Sequence, residues 1–178
     1  MIKLTNVSKS FNQEVIHNFS YTFKKPQKYL ICGKSGCGKT TLINLIMGLI
    51  DCDQGKIENK LTFSCAFQYP RLLENLSCKK NIEIFTKKQG LPAELLTENI
   101  LNQPVKTLSG GQKQKLSIFI ACKAGSDCLI LDEPFNNLDE ASIKEVINFI
   151  NKNINGRILI VSSHLTDHFK DFQIINLN

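Results

Sequence analysis

The chain has 178 residues, with 22 Lys and Arg against 16 Asp and Glu, a net charge of +6 and 42% hydrophobic residues. That length suits one folded unit with a sizeable core, and no apolar run approaches the roughly 20 residues that cross a bilayer, so a channel built from its own helices is excluded. The charge excess is modest: Lys79, Lys80, Lys87 and Lys88 are strung along predicted helices without interleaved aromatics, and nucleic acid is not an expected partner.

Alternation of apolar and polar residues over Ile2 to Val7 and Phe19 to Phe23 predicts half-buried antiparallel strands. Lys28 to Cys32 (KYLIC) reads as a short buried strand. It runs into Gly33-Lys34-Ser35-Gly36-Cys37-Gly38-Lys39-Thr40, a match to G-x-x-x-x-G-K-[ST], and then into a helix predicted over Thr40 to Leu49. In such a loop the glycines let backbone N–H groups curl around phosphates, the lysine reaches the β and γ phosphates, and the hydroxyl ligates Mg²⁺. Residues Gly33 to Gly38, Lys39, Thr40 and Thr41 are therefore the candidate ATP-binding set, with Thr40 also a metal ligand.

Helices are expected near Lys79 to Lys87 and Pro92 to Leu101, and a further one over Gln112 to Ala124 behind Leu108-Ser109-Gly110-Gly111-Gln112. Ser109 suits a helix N-cap, but two glycines beside it remove side chains where something must approach the backbone closely, and an anion at a helix N-terminus fits. Cys128 to Leu131 (CLIL) is a buried strand that delivers Asp132 and Glu133 to the carboxyl edge of a parallel sheet, where ligands bind. Two adjacent acids divide the work: one holds Mg²⁺, the other polarises the attacking water. Arg157 to Ser163 is another such strand, and it places His164 at the same edge to orient the γ-phosphate or the water. A last strand is expected over Phe172 to Leu177. The seven cysteines lack C-x-x-C spacing and read as reduced core residues; Cys37 differs, lying within the phosphate loop.

In this order the motifs resemble those of the nucleotide-binding subunit of ATP-binding cassette (ABC) transporters, nearly end to end. The resemblance implies an α/β P-loop NTPase fold of ABC ATPase type: a mostly parallel sheet flanked by helices, an antiparallel N-terminal β region and a small helical subdomain over about 69–124, in one domain covering 1–178. It implies that Phe11 stacks on adenine, that Gln68 approaches the metal and senses a membrane partner, that Asp132 associates with Mg²⁺, and that Glu133 is the catalytic base. His164 becomes the switch histidine and Asp139, in Asn136-Asn137-Leu138-Asp139, part of the loop that crosses a dimer. Ser109, Gly110, Gly111 and Gln112 would complete the ATP site of a second cassette, identical or related. The other partners implied are transmembrane permease subunits, with the chain peripheral on the cytoplasmic face of the membrane. The alternative is a soluble ABC ATPase that moves no solute, as in iron–sulfur cluster assembly. Departures from the family pattern are Cys37 in the phosphate loop, Asn136-Asn137 where serine-alanine is usual, and Lys113 and Lys115 in place of arginines.

Overall fold

The computed structural model describes residues 1–88 and 94–177. Two sheets form. Strands β1 (Ile2–Ser10), β2 (Glu14–Phe23) and β4 (Gln54–Glu58) make an antiparallel sheet of order β2-β1-β4. Strands β3 (Lys28–Cys32), β5 (Phe63–Ala66), β6 (Cys128–Asp132), β7 (Ile158–Ser162) and β8 (Gln173–Asn176) make a parallel sheet of order β5-β6-β7-β3-β8. The architecture is the one expected, with two strands beyond those predicted: β4 in the antiparallel layer and β5 at the edge of the parallel sheet.

Every residue of β6 and β7 is buried, which is why both read as unbroken apolar runs: helices or sheet cover both faces. The pleat sorts them. Leu129, Leu131, Leu159 and Val161 pack on one face with helices α2 (Cys78–Thr86), α4 (Gly110–Lys123) and α5 (Glu140–Asn153). Cys128, Ile130, Ile158 and Ile160 pack on the other with helix α1 (Lys39–Ile46) and with Ile2, Leu4 and Phe23 of the antiparallel layer. Burial pushes the Cys65, Cys122 and Cys128 thiols up to about 12, so these cysteines behave as small protonated hydrophobes.

Helix ends depart from the expectations. Helix α1 stops at Ile46, three residues before the predicted end, because Gly48 turns left-handed at φ 68°. Helix α4 begins at Gly110, two residues early, since Ser109 caps it and the glycines form its first turn. Of the helix expected near 92–101, residues 92 and 93 lie outside the described residues, Glu94 and Leu95 form a turn, Leu96 a bend, Thr97 is an extended N-cap, and only α3 (Glu98–Leu101) is helical. There Leu95 and Ile100 turn into the core as separate anchors instead of sharing one helix face.

At the amino edge of the parallel sheet Asp127 joins three strand starts, accepting hydrogen bonds from Lys25 Nζ at 2.6 Å, the Thr62 N–H at 3.0 Å and the Thr62 hydroxyl at 2.9 Å. The Lys25 ammonium, then the Thr62 donors, hold its carboxyl below the usual range. A depressed folded-state pKa gives stability that is whole above the unfolded-state value of about 3.9 and fades as pH falls through the folded-state one. Asp127→Asn is therefore expected to lower Tm at pH 7 and to cost progressively less below pH of about 4. A Tm difference independent of pH would remove the ionised carboxylate from this account.

Candidate functional site

Four neighbouring strands of the parallel sheet, β5, β6, β7 and β3, end at one edge. In that order they release Gln68, the pair Asp132-Glu133, His164 and the phosphate loop. A cleft of about 510 Å³ opens there, and Ser35, Lys39, Thr40, Gln68, Glu133 and His164 are among its lining residues. Gly36, Gly38 and Thr41 line it too.

The loop is shaped for an anion. Gly38 is the N-cap of α1 at φ 101°, with no side chain to cap the helix, so first-turn N–H groups are left for a ligand. A Cβ on Gly38 would stand 2.8 Å from Val15 Cγ1, so the position has neither room nor backbone freedom for another residue. Cys37 is half-buried and is not among the cleft's lining residues; its sulfur packs back toward Gly33. Phe11 stands apart from the cleft lining, 63% exposed, with the Lys9 ammonium 5.6 Å from its ring centre. Lys34 is exposed, and its carbonyl turns toward Lys39.

The site's charges hold one another. Lys39 Nζ donates to the carbonyls of Gly33 at 2.9 Å and Lys34 at 3.2 Å and lies 3.3 Å from Glu133 Oε1. His164 Nδ1 is 3.2 Å from Glu133 Oε2. Thr40 donates its hydroxyl to Asp132 Oδ2 at 2.9 Å, and Asp132 is only 1% exposed. Hydroxyl, carboxylate and the Gln68 amide are hard oxygen donors, which suit Mg²⁺ better than Zn²⁺. Among the described residues no cluster of three or more His, Cys, Asp or Glu could hold a metal.

Ser109 to Gln112 and Asp139 lie elsewhere. They line a second cleft of about 440 Å³ together with Lys115, Asn137 and Ser142. Ser109 accepts the Gln112 N–H at 3.2 Å while the Gln112 side chain accepts the Ser109 N–H at 2.9 Å, a capping box that leaves the Ser109 hydroxyl proton free to donate. Asp139 is the N-cap of α5 and accepts the Ser142 N–H at 2.7 Å. Within one chain the glycines admit protein: a Cβ on Gly111 would lie 2.8 Å from the carbonyl oxygen of Asn137, whose own φ is 63°. Gly111→Ala is expected to destabilise the fold by about 1–3 kcal/mol, and Gly110→Ala, whose Cβ would meet Asn137 at an ordinary 3.7 Å, by much less. Denaturant melts of the two variants that coincide would show that this close approach is not needed.

Five lining residues were not among the expected site residues: Asn136, Lys115, Asn137, Leu138 and Ser142. Asn136 lines the first cleft and Asn137 the second, so the consecutive asparagines face different clefts. Their departure from the family's serine-alanine was the available signal.

The family model described as ABC transporter matches residues 16–136. The zinc import ATP-binding protein ZnuC of Rickettsia conorii is 32% identical, across 100% of this chain and 83% of its own length. The lantibiotic transport ATP-binding protein SrtF of Streptococcus pyogenes is 29% identical across 97% of this chain and 85% of its own. An uncharacterized ABC transporter ATP-binding protein of Bacillus subtilis, YcbN, is 30% identical across 93% of this chain, which spans 62% of that protein's length. Among solved structures, the ATP-binding cassette MJ0796, a dimer in a post-hydrolysis state bound to ADP and Pi, superposes with a TM-score of 0.90 at 22% identity, covering 100% of this chain and 94% of that one.

Proposed function

Because this chain belongs to the ABC transporter family as an ATPase domain, we propose that it is the ATP-hydrolysing subunit of a transporter, working through separate transmembrane subunits. The observation that carries the reading is the separation of the two clefts. Phosphate loop, acids and His164 share one, whereas Ser109 to Gln112 stand at the other. One chain therefore offers two incomplete half-sites of complementary chemistry. Two copies placed head to tail about a two-fold axis complete both sites, each ATP lying between the loop of one copy and Ser109 to Gln112 of the other.

In the first cleft the loop N–H groups take the phosphates, and Phe11 stacks on the adenine. Lys39 exchanges Gly33 O, Lys34 O and Glu133 for phosphate oxygens. Glu133, released, accepts a proton from the water that attacks the γ-phosphorus, while His164 orients that water or the γ-phosphate. The bond from the γ-phosphorus to the bridging oxygen breaks, giving ADP and inorganic phosphate. Thr40, Asp132 and Gln68 would hold Mg²⁺, which when bound neutralises developing phosphate charge.

Coupling to a membrane partner is supported by the segment after Gln68. Tyr69 and Leu73 there, and Ile84 and Phe85 on α2, are large apolar residues left exposed. Asn81, fully buried in α2, accepts the Leu73 N–H at 2.8 Å and donates to the Leu73 and Ser77 carbonyls, so loop and helix move together. Glu74 accepts from Lys113 Nζ at 2.8 Å through its carboxylate and from the Lys106 N–H at 2.9 Å through its carbonyl, which links the same loop to the helix behind Ser109. No helix among the described residues is long and apolar enough to cross a membrane; in this reading the pathway belongs to the transmembrane subunits and the chain is peripheral on the cytoplasmic face.

The test uses Glu133→Gln as bait on detergent-solubilised membranes of the source cell, with and without Mg-ATP. Recovery of a polytopic membrane protein is the expected result. Recovery of soluble proteins alone would replace transport with a soluble ATPase function such as cluster assembly.

A further inference from the structure

The pleat poses a problem for the two acids. Alternation along β6 turns Asp132 to the α1 face, with Cys128 and Ile130, and a continued strand would send Glu133 to the opposite face with Leu129 and Leu131. Yet Glu133 lies 3.3 Å from Lys39 in the cleft on the α1 side. The strand avoids that outcome by turning left-handed at Glu133, φ 44°, a conformation disfavoured for glutamate. Something must hold the turn.

We propose that Ser162 is the positioning residue that sets both acids through one hydroxyl. Ser162 ends β7, is 0% exposed, and pairs in register with Asp132 on β6. Its parity is that of Ile158 and Ile160, so its side chain shares the α1 face with that of Asp132. The hydroxyl donates its proton to Asp132 Oδ1 and accepts the Glu133 N–H at 3.0 Å. The same N–H reaches the Ser162 carbonyl at 3.1 Å. A chain of donors thus runs from the Glu133 amide through the Ser162 hydroxyl to the Asp132 carboxylate, each bond polarising the next.

The remaining Asp132 oxygen accepts from Thr40, whose hydroxyl must turn to the cation when nucleotide binds. Ser162 then keeps the orientation of Asp132 while the left-handed turn at its other contact keeps Glu133 aimed into the cleft. Asp132 and Glu133 stand 30 and 29 residues from Ser162 along the chain, and only the parallel register brings the three together. The assignment rests on Asp132 as the metal-side acid and Glu133 as the base.

The experiment compares Ser162→Ala, Ser162→Cys and Ser162→Thr in the full chain, by steady-state ATPase, by Mn²⁺ binding in the presence of a non-hydrolysable ATP analogue, and by Tm. Ser162→Cys keeps the shape and replaces the strong donor by a weak one; Ser162→Thr keeps the hydroxyl. Expected for the Ala and Cys variants are a fall in kcat of about tenfold or more, the size of one hydrogen bond to a charged group, a several-fold weaker Mn²⁺ affinity, and an unchanged affinity for the metal-free analogue. Ser162→Thr should recover both kcat and Mn²⁺ affinity. If Ser162→Ala does not fold, the Cys and Thr pair decides. Wild-type kcat and Mn²⁺ binding in Ser162→Cys, or a Thr variant as impaired as the Cys one, would overturn the proposal. Asp132→Asn and Glu133→Gln run alongside: normal turnover in these would mean that the reading of the acids had failed, whereas their inactivity beside an unaffected Ser162→Cys would reject Ser162 alone.

Discussion

Glu133→Gln is expected to bind ATP as tightly as the natural protein and to hydrolyse it on the order of 10²–10⁴ times more slowly, the usual contribution of a positioned general base. The substitution keeps size and one carbonyl oxygen but removes the basic lone pair. It also removes a charge from the contacts with Lys39 and His164, at 3.3 Å and 3.2 Å. Because that charge competes with phosphate for the lysine before nucleotide arrives, ATP affinity should be equal or somewhat higher. Single-turnover hydrolysis and equilibrium binding of a fluorescent ATP analogue measure the two effects separately. A variant with wild-type turnover would move the base elsewhere, and Asp132, 1% exposed and already bound by two hydroxyls, could not take its place.

Lys39→Ala should act at the earlier step. The Lys39 side chain is 8% exposed, and its ammonium is held by two carbonyls and Glu133, an arrangement that points it at the space where phosphate oxygens would lie. A charge-assisted hydrogen bond to phosphate is worth about 1.5–3 kcal/mol, so ATP affinity should fall by roughly 10- to 150-fold, with hydrolysis lost at ordinary nucleotide concentrations. The loss also leaves Glu133, whose side chain is 12% exposed, without its cation. Full burial would make that cost about 3–5 kcal/mol, but the carboxylate faces an open cleft, and a destabilisation nearer 1 kcal/mol is expected. Isothermal titration and a denaturant melt separate the effects. Unchanged ATP affinity would exclude Lys39 from phosphate binding.

What could be read from sequence was whatever depends on neighbours along the chain. Strands β3, β6 and β7 are buried on both faces, so their apolar runs are continuous, and the residues at or just past their ends, Gly33, Asp132-Glu133 and His164, could be assigned to one sheet edge without knowing the strand order. The end of α1 was obscured because Leu49 and Ile50 continue the apolar pattern after Gly48 has already turned the backbone. Contacts that depend on register or loop docking left no local trace. Ser162 meets Asp132 only through parallel pairing of β6 and β7, and it read as the polar end of a strand. The glycines after Ser109 called for a close approach, and an anion was the expected visitor. The approach within the chain is made by the Asn137 carbonyl, from the loop that precedes α5. In the proposed dimer, the helix N-terminus and the Ser109 hydroxyl would meet the ATP held by the other copy.

The central claim is that two copies close around ATP, and sedimentation of Glu133→Gln with ATP and with ADP tests it most directly. The account predicts a monomer with ADP, a dimer with ATP, and no ATP-dependent dimer when Ser109→Arg is added to the same chain. A Glu133→Gln protein saturated with ATP that sediments as a monomer would contradict it.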